Sequence, residues 1–192
     1  MPAASGAFCL DCVDRDLAFT QARSAFAYEG AAQGLVTSLK FQGMKVLGGL
    51  MAALAAPAFQ DMVGPLGSPT VTWVPSHPSV QRRRGYNQAE VLAKALAREA
   101  GGLPVGPLVR KAVSTRHQQA LGREERRRNL AGAFVAGAIP PTGTDAVVLV
   151  DDVYTTGATA SVVAAALRDA LGLPVHVFTF ARALGPVDGQ HD

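Results

Sequence analysis

Apolar residues along this chain follow two rhythms. Short continuous runs, Thr70 to Val74, Val147 to Val150 and Val175 to Phe180, read as strands covered on both faces, as in parallel sheets. Between them apolar positions recur at helical spacing. One set is Ala32, Leu35, Val36 and Leu39, and a second is Leu47, Leu50, Met51 and Leu54, with Pro57 near that helix's end. A third is Val91, Leu92, Ala95 and Leu96, starting near Asn87 and closed by Gly101-Gly102. The last, Val162, Val163, Ala166, Leu167, Ala170 and Leu171, belongs to a helix spanning 158 to 171. Ser24 to Tyr28 adds a short strand, Val105 to Val109 and Ala133 to Val135 are further strand candidates, and Glu124 to Leu130 suits a short helix. Arg110 to Gly122 has no clean period and reads as an exposed loop or hairpin, and Gly137 to Gly143 as plain loop. Strands alternating with helices predict an α/β fold: an open, mostly parallel sheet flanked by helices.

Composition narrows the class. At 192 residues the chain has the size of one domain with small decorations. A hydrophobic share of 48% against 17% charged, with mean hydropathy +0.17, excludes a disordered chain or a coiled coil. The uncharged stretch Val46 to Gln60 is shorter than the roughly 20 residues of a membrane-spanning helix, and Met62 to Gln81 is interrupted by four prolines, so no membrane insertion is expected. Met1 to Phe8 lacks a basic region followed by an apolar block, which makes a cytoplasmic location the expectation. Charge is uneven. Residues 82 to 128 hold 12 Lys or Arg against 4 acids, a net of +8, while the rest of the chain carries −5. Such an excess attracts phosphate, on a metabolite or on a nucleic acid.

The chemistry is concentrated in Val147 to Thr159, VVLVDDVYTTGAT, where a buried strand ends in two carboxylates and a Thr-rich turn opens a helix. Ligands of open parallel sheets sit beyond the carboxyl ends of the strands. The turn offers backbone N–H groups and the positive end of a helix dipole. Thr155, Thr156 and Thr159 add hydroxyls, and Gly157, followed by Ala158, lets the backbone approach an anion. A Walker-type GxxxxGK[ST] loop is absent, so a single phosphate suits this turn. Asp151 and Asp152 can accept hydrogen bonds from vicinal ribose hydroxyls, directly or through hydrated Mg²⁺, and their charge favours a sugar ring turning cationic as its C1 leaving group departs. Two Asp before such a turn can equally well do no more than cap the helix.

The whole segment resembles the phosphoribosyl-diphosphate (PRPP) motif of type I phosphoribosyltransferases: four apolar residues, two acids, two spacers and T-T-G-x-T. Further segments narrow the resemblance: Val74-Pro75 at a strand end, Arg82-Arg83-Arg84-Gly85-Tyr86-Asn87-Gln88-Ala89, then Gln118, Leu121, Arg126 and Asn129 before Gly132-Ala133-Phe134, Lys40-Phe41 after the first helix, and the N-terminal CxxC. Together, over about Cys9 to Ala181, they resemble the ComF family of competence-associated phosphoribosyltransferase-like proteins. The resemblance implies a type I phosphoribosyltransferase-like fold with a small hood or flap, PRPP and Mg²⁺ as ligands, and a role in uptake of single-stranded DNA. A competence DNA helicase or translocase is an implied partner. It also divides the chain into a CxxC segment at 1–22, the phosphoribosyltransferase-like domain at 23–185 and a tail at 186–192.

On this reading Ser76 and His77 offer backbone donors to pyrophosphate, and Arg84 or a neighbour neutralises it. A solvated basic turn is the alternative for Arg82, Arg83 and Arg84. Arg110, Lys111 and Arg116 lie where related enzymes carry a mobile flap, and either close on pyrophosphate or track a DNA backbone. The family pattern opens with two CxxC knuckles, the four thiolates of a structural zinc site, whereas this chain has only Cys9 and Cys12, half of such a set. Purine-salvage relatives carry an acid where this chain has Thr155, which argues against that substrate class and leaves the acceptor unnamed. Two functions follow: transfer of ribose 5-phosphate from PRPP to an unknown acceptor, or a non-catalytic module that holds PRPP or a nucleotide and contacts single-stranded DNA or a partner.

Overall fold

In the computed structural model the described residues are 17–41, 43–112 and 133–183. Gln21–Ala27 forms β1 and leads into α1, Gly30–Phe41, and α2, Leu47–Val63. β2, Pro69–Trp73, is followed by α3, Pro78–Arg84, and α4, Gln88–Glu99. A short β3, Val109–Lys111, pairs antiparallel with β4, Phe134–Ala136. The chain then forms β5, Ala146–Tyr154, α5, Ala158–Leu171, and β6, Val175–Arg182. The main sheet has the order β1-β6-β5-β2 with every neighbouring pair parallel. A bridge between Val71 and Val105 extends it past β2. The α/β architecture with helices on both faces matches the expectation and is compatible with a phosphoribosyltransferase-like fold.

Alternation along β5 shows why both faces are apolar. Val148 and Val150 enter one cluster with α1, α2 and α4, built around Leu39, Phe59, Leu92 and Leu96. Val147 and Leu149 enter the other, with Val163 and Leu167 of α5 and with Leu108, Val109 and Phe134 of the β3–β4 ribbon. In the connection from β2, α4 therefore packs on one face, and α5, after β5, on the other. The crevice between the ends of β2 and β5 is thus a switch point, where departing loops leave room for a ligand.

Several elements differ from the sequence reading. β5 continues through Tyr154, so Asp151 and Asp152 stand inside the strand, with Asp151 in register with Thr179, rather than at its end. α2 runs six residues past Pro57, and its buried stripe is Met51, Ala52, Ala55, Ala56, Phe59 and Met62. Leu50 and Leu54 face outward instead, because alanines allow close approach and Gly48 abuts Val91 of α4. The three arginines 82–84 end a helix, α3, rather than a turn; His77 caps it and Gly85 closes it at φ +82°. Within the candidate strand Val105 to Val109, Val105 makes only the bridge to Val71, and regular pairing begins at Val109. The predicted helix Glu124 to Leu130 lies outside the described residues.

Candidate functional site

A cleft of about 370 Å³ opens at the C-terminal ends of β2 and β5. Val74 and Ser76 line it from the β2 side, Asp151, Asp152, Val153 and Thr155 from the β5 side, and Tyr28, Lys40 and Gln88 from the loop after β1, from α1 and from the start of α4. The volume falls in the lower range of small-ligand sites, about 300–1,000 Å³.

The two carboxylates differ in setting. Asp152 is buried on the face that α1 covers, with Lys40 Nζ 2.9 Å from its Oδ2. The ammonium sits out of line for a hydrogen bond to Oδ2, so the contact is an ion pair. Asp151 is half-buried, and the backbone N–H of Asp152 donates to its Oδ1 at 2.9 Å. Loss of water raises the Asp151 carboxyl well above the usual carboxylate range and the adjacent Asp152 charge raises it further, against the opposing Asp152 N–H and Lys40. A site that holds one carboxyl back from ionising gains when a cation or hydroxyl donors arrive.

Past the acids, Tyr154 is buried while Thr155 and Thr156 are exposed. Gly157, at φ +76°, is the N-cap of α5, and no side chain caps it there. A Cβ at this position would fall 2.2 Å from the Tyr154 hydroxyl, so only glycine fits on both counts. The Thr156 Oγ1 lies 3.4 Å from the N–H of Ala158, and Ala158 and Thr159 are exposed in the first turn of α5. On the opposite wall the Ser76 hydroxyl is buried with no hydrogen-bond partner among the described residues. Buried polar groups are ordinarily satisfied, so this oxygen has a hydrogen bond to offer to water or a ligand.

The other sequence-derived candidates are spread around this cleft. The His77 Nδ1 accepts from Ser79 N–H at 3.2 Å, a capping contact at α3. Arg84 donates to Gln88 Oε1 and lies 5.5 Å over the exposed Phe41 ring, one residue removed from the cleft wall. Arg82 and Arg83 are exposed at the end of α3. Lys111, on β3, lies 5.6 Å over the Phe134 ring and is not among the residues lining the cleft, and Arg110 is exposed beside it. Cys9, Cys12, Arg116, Gln118, Leu121, Arg126 and Asn129 lie outside the described residues.

The motifs give Lys40 no chemical role, although it is the sole charged residue of α1, a helix otherwise of apolar and small polar residues. A lone charge at the end of an amphipathic helix is the signal that could have found it. Gln88 left no such trace, since an amide at a helix start is ordinary.

No protein-family model matches the chain. Over 111 residues it is 36% identical to Competence protein F of Haemophilus influenzae, an overlap of 57% of this chain and 48% of that protein. Over 179 residues it is 28% identical to DNA utilization protein YhgH of Salmonella typhi, covering 92% of this chain and 78% of that one. The namesake from Salmonella typhimurium is 34% identical over 102 residues, 53% of this chain and 44% of the relative. These relatives support a ComF family assignment. The chain spans about half the length of the relatives it matches at the higher identities. No helix among the described residues is long and apolar enough to cross a membrane.

The residues fit Mg²⁺. Among the described residues no group of three His, Cys, Asp or Glu side chains comes together. Mg²⁺, however, is commonly held by one or two carboxylates with water and ligand phosphate oxygens completing the set. Asp151 and Asp152 supply those hard oxygens.

Proposed function

We propose that this chain is a phosphoribosyltransferase-like protein of competence or DNA utilisation whose cleft takes PRPP together with Mg²⁺. The observation that carries the proposal is the placement of adjacent acids inside a switch-point strand, immediately before a glycine-opened helix and opposite the unpartnered Ser76 hydroxyl. The names of the relatives, Competence protein F and DNA utilization protein YhgH, supply the cellular context.

In this reading the first-turn amides of α5 and the threonines 155, 156 and 159 hold the 5-phosphate. Asp151 and Asp152 engage the ribose hydroxyls or the metal, and Ser76 donates to pyrophosphate. Bound Mg²⁺ would neutralise the charge that builds on pyrophosphate as it leaves C1. Transfer then breaks the C1–O bond to pyrophosphate and forms a bond from C1 to the acceptor nucleophile. The negative field of the paired acids favours the cationic sugar between those two events. Among the described residues no further side chain on the cleft wall is an evident general base, which leaves the acceptor unnamed.

Calorimetry of PRPP with and without Mg²⁺ tests this. Asp151→Asn with Asp152→Asn should weaken binding by about a hundredfold or more, on the order of 2.7 kcal/mol. Unchanged affinity refutes the assignment. A second reading, a binding module for single-stranded DNA, is favoured by the exposed Arg82 and Arg83. Pyrophosphate release from PRPP with a panel of bases and with single-stranded DNA separates the two. Under the second reading no pyrophosphate is released, and DNA affinity falls steeply with salt and with neutralisation of Arg82, Arg83 and Arg84.

A further inference from the structure

Lys40 poses a problem for the reading above. Asp152 is 3% exposed, and its charge partner among the described residues is the Lys40 ammonium at 2.9 Å. A buried carboxylate requires such a partner. Yet this same carboxylate is one that a ribose hydroxyl or Mg²⁺ would engage. Mg²⁺ and the Lys40 ammonium on one carboxylate repel each other, so arrival of the metal weakens the hold of Lys40 on Asp152. The ligand also brings a pyrophosphate whose negative charge calls for a cation in the cleft. Among the described residues Lys40 is the only cationic side chain lining it. Arg84 is engaged with Gln88 and Phe41, and Lys111 lies over Phe134 on the ribbon.

We propose that Lys40 exchanges partners: it neutralises Asp152 until Mg²⁺ claims that carboxylate, and then pairs with the pyrophosphate of PRPP. The inference rests on the PRPP reading and adds to it a ligand-binding residue outside the phosphate and ribose motifs.

The anchoring of α1 supports a movement of the side chain alone. Tyr86 donates its hydroxyl to the Leu39 carbonyl, the Arg84 guanidinium covers Phe41, and Lys45 lies 5.0 Å over the Tyr86 ring. The backbone on both sides of Lys40 is therefore tied to the segment around α3 and α4. A lysine stem with four rotatable carbons can redirect its ammonium by rotamer changes while its helix stays in place. With 24% of its side chain exposed, Lys40 has room to do so.

The experiment titrates wild type, Lys40→Met and Lys40→Arg with MgCl₂ alone, with PRPP in Mg²⁺, and with ribose 5-phosphate in Mg²⁺. Removing the competing ammonium should tighten Mg²⁺ binding several-fold. The same variant should lose about tenfold or more in PRPP affinity while ribose 5-phosphate changes little. Lys40→Arg should keep most of the PRPP affinity. These opposite signs from one substitution separate exchange from a purely structural ion pair, whose loss would weaken all three ligands together and overturn the proposal. PRPP affinity equal in wild type and Lys40→Met overturns it as well, and the PRPP reading survives. Absence of PRPP binding in wild type removes both. Should Lys40→Met fail to fold, amine acetylation of the wild-type chain read by peptide mass spectrometry decides. Lys40 should react faster in Mg²⁺ alone and slower once PRPP is added, and an unchanged rate overturns the proposal.

Discussion

The two halves of β5 share one strand and almost nothing else. Ala146 through Val150 are buried and apolar, and pack into clusters on both faces of the sheet. Asp151 and Asp152 continue the same hydrogen-bonded ladder beside β6 but place two carboxylates where the covering helices end. The first half is stabilised by its surroundings; the second is held in place by the first, at a cost in charge repulsion and desolvation. A regular strand is a stiff support, so the fold can keep an unfavourable pair of acids in fixed positions against their own electrostatics.

Damage to the core that supports the first half should give the largest effect. Phe178 on β6 is fully buried, lies beside Val150 in register and meets the Phe59 ring edge-on at 5.0 Å. Phe178→Ala leaves a cavity between the sheet and α2 and should cost about 3–5 kcal/mol in chemical denaturation. The fraction that remains folded should still bind PRPP with near wild-type affinity. Equal loss of affinity in that fraction would show that the supporting and chemical halves are not separable.

A smaller effect is expected at the junction that follows β5. Gly157→Ala places a side chain at φ +76° and against the Tyr154 hydroxyl. The backbone conformation alone costs about 1–2 kcal/mol. Because the same residue starts α5, phosphate affinity should fall together with stability. Titration with ribose 5-phosphate checks this: a variant that loses stability and keeps full affinity would move the phosphate away from the α5 amides.

The same contrast explains what the sequence disclosed. Val147 to Val150 announced a doubly covered strand because continuous burial leaves a continuous apolar run, and VVLVDDVYTTGAT fixed the order of acid, turn and helix. Asn87 announced α4 because its side-chain oxygen accepts from Ala89 N–H, the usual chemistry of a helix start. What failed was orientation. Leu50 and Leu54 look like core residues, and only packing of α2 against α4 through Gly48 and small alanines reveals that they face outward. Lys40 and Asp152 are 112 residues apart, and nothing local to either marks their ion pair. Long-range charge pairing depends on topology, which periodicity does not encode.

The smallest effect lies in pH, and it pits the two halves against each other. His176 on β6 lies in register with Val148, in the apolar part of the sheet, and its Nδ1 is buried without a hydrogen-bond partner among the described residues. Burial lowers its pKa from the ordinary 6.5. The unfolded chain therefore takes up the proton first, and stability is lost as pH falls from about 6.5 through the lower folded value. Asp151 works in the opposite sense. Burial, and after it the Asp152 charge, raise its folded pKa, so the folded chain holds the proton more tightly and stability is gained as pH falls towards the ordinary carboxylate range. Asp151→Asn should thus stabilise the protein near neutral pH while weakening PRPP binding, and should expose the histidine's contribution. In that background the denaturation midpoint should drop between about pH 7.5 and pH 5.5, with a slope no steeper than one proton, about 1.4 kcal/mol per pH unit. Adding His176→Gln should flatten the slope. A midpoint that stays level in Asp151→Asn alone would mean that His176 reaches water or a partner when protonated, and that the apolar half of the sheet is less closed than its burial indicates.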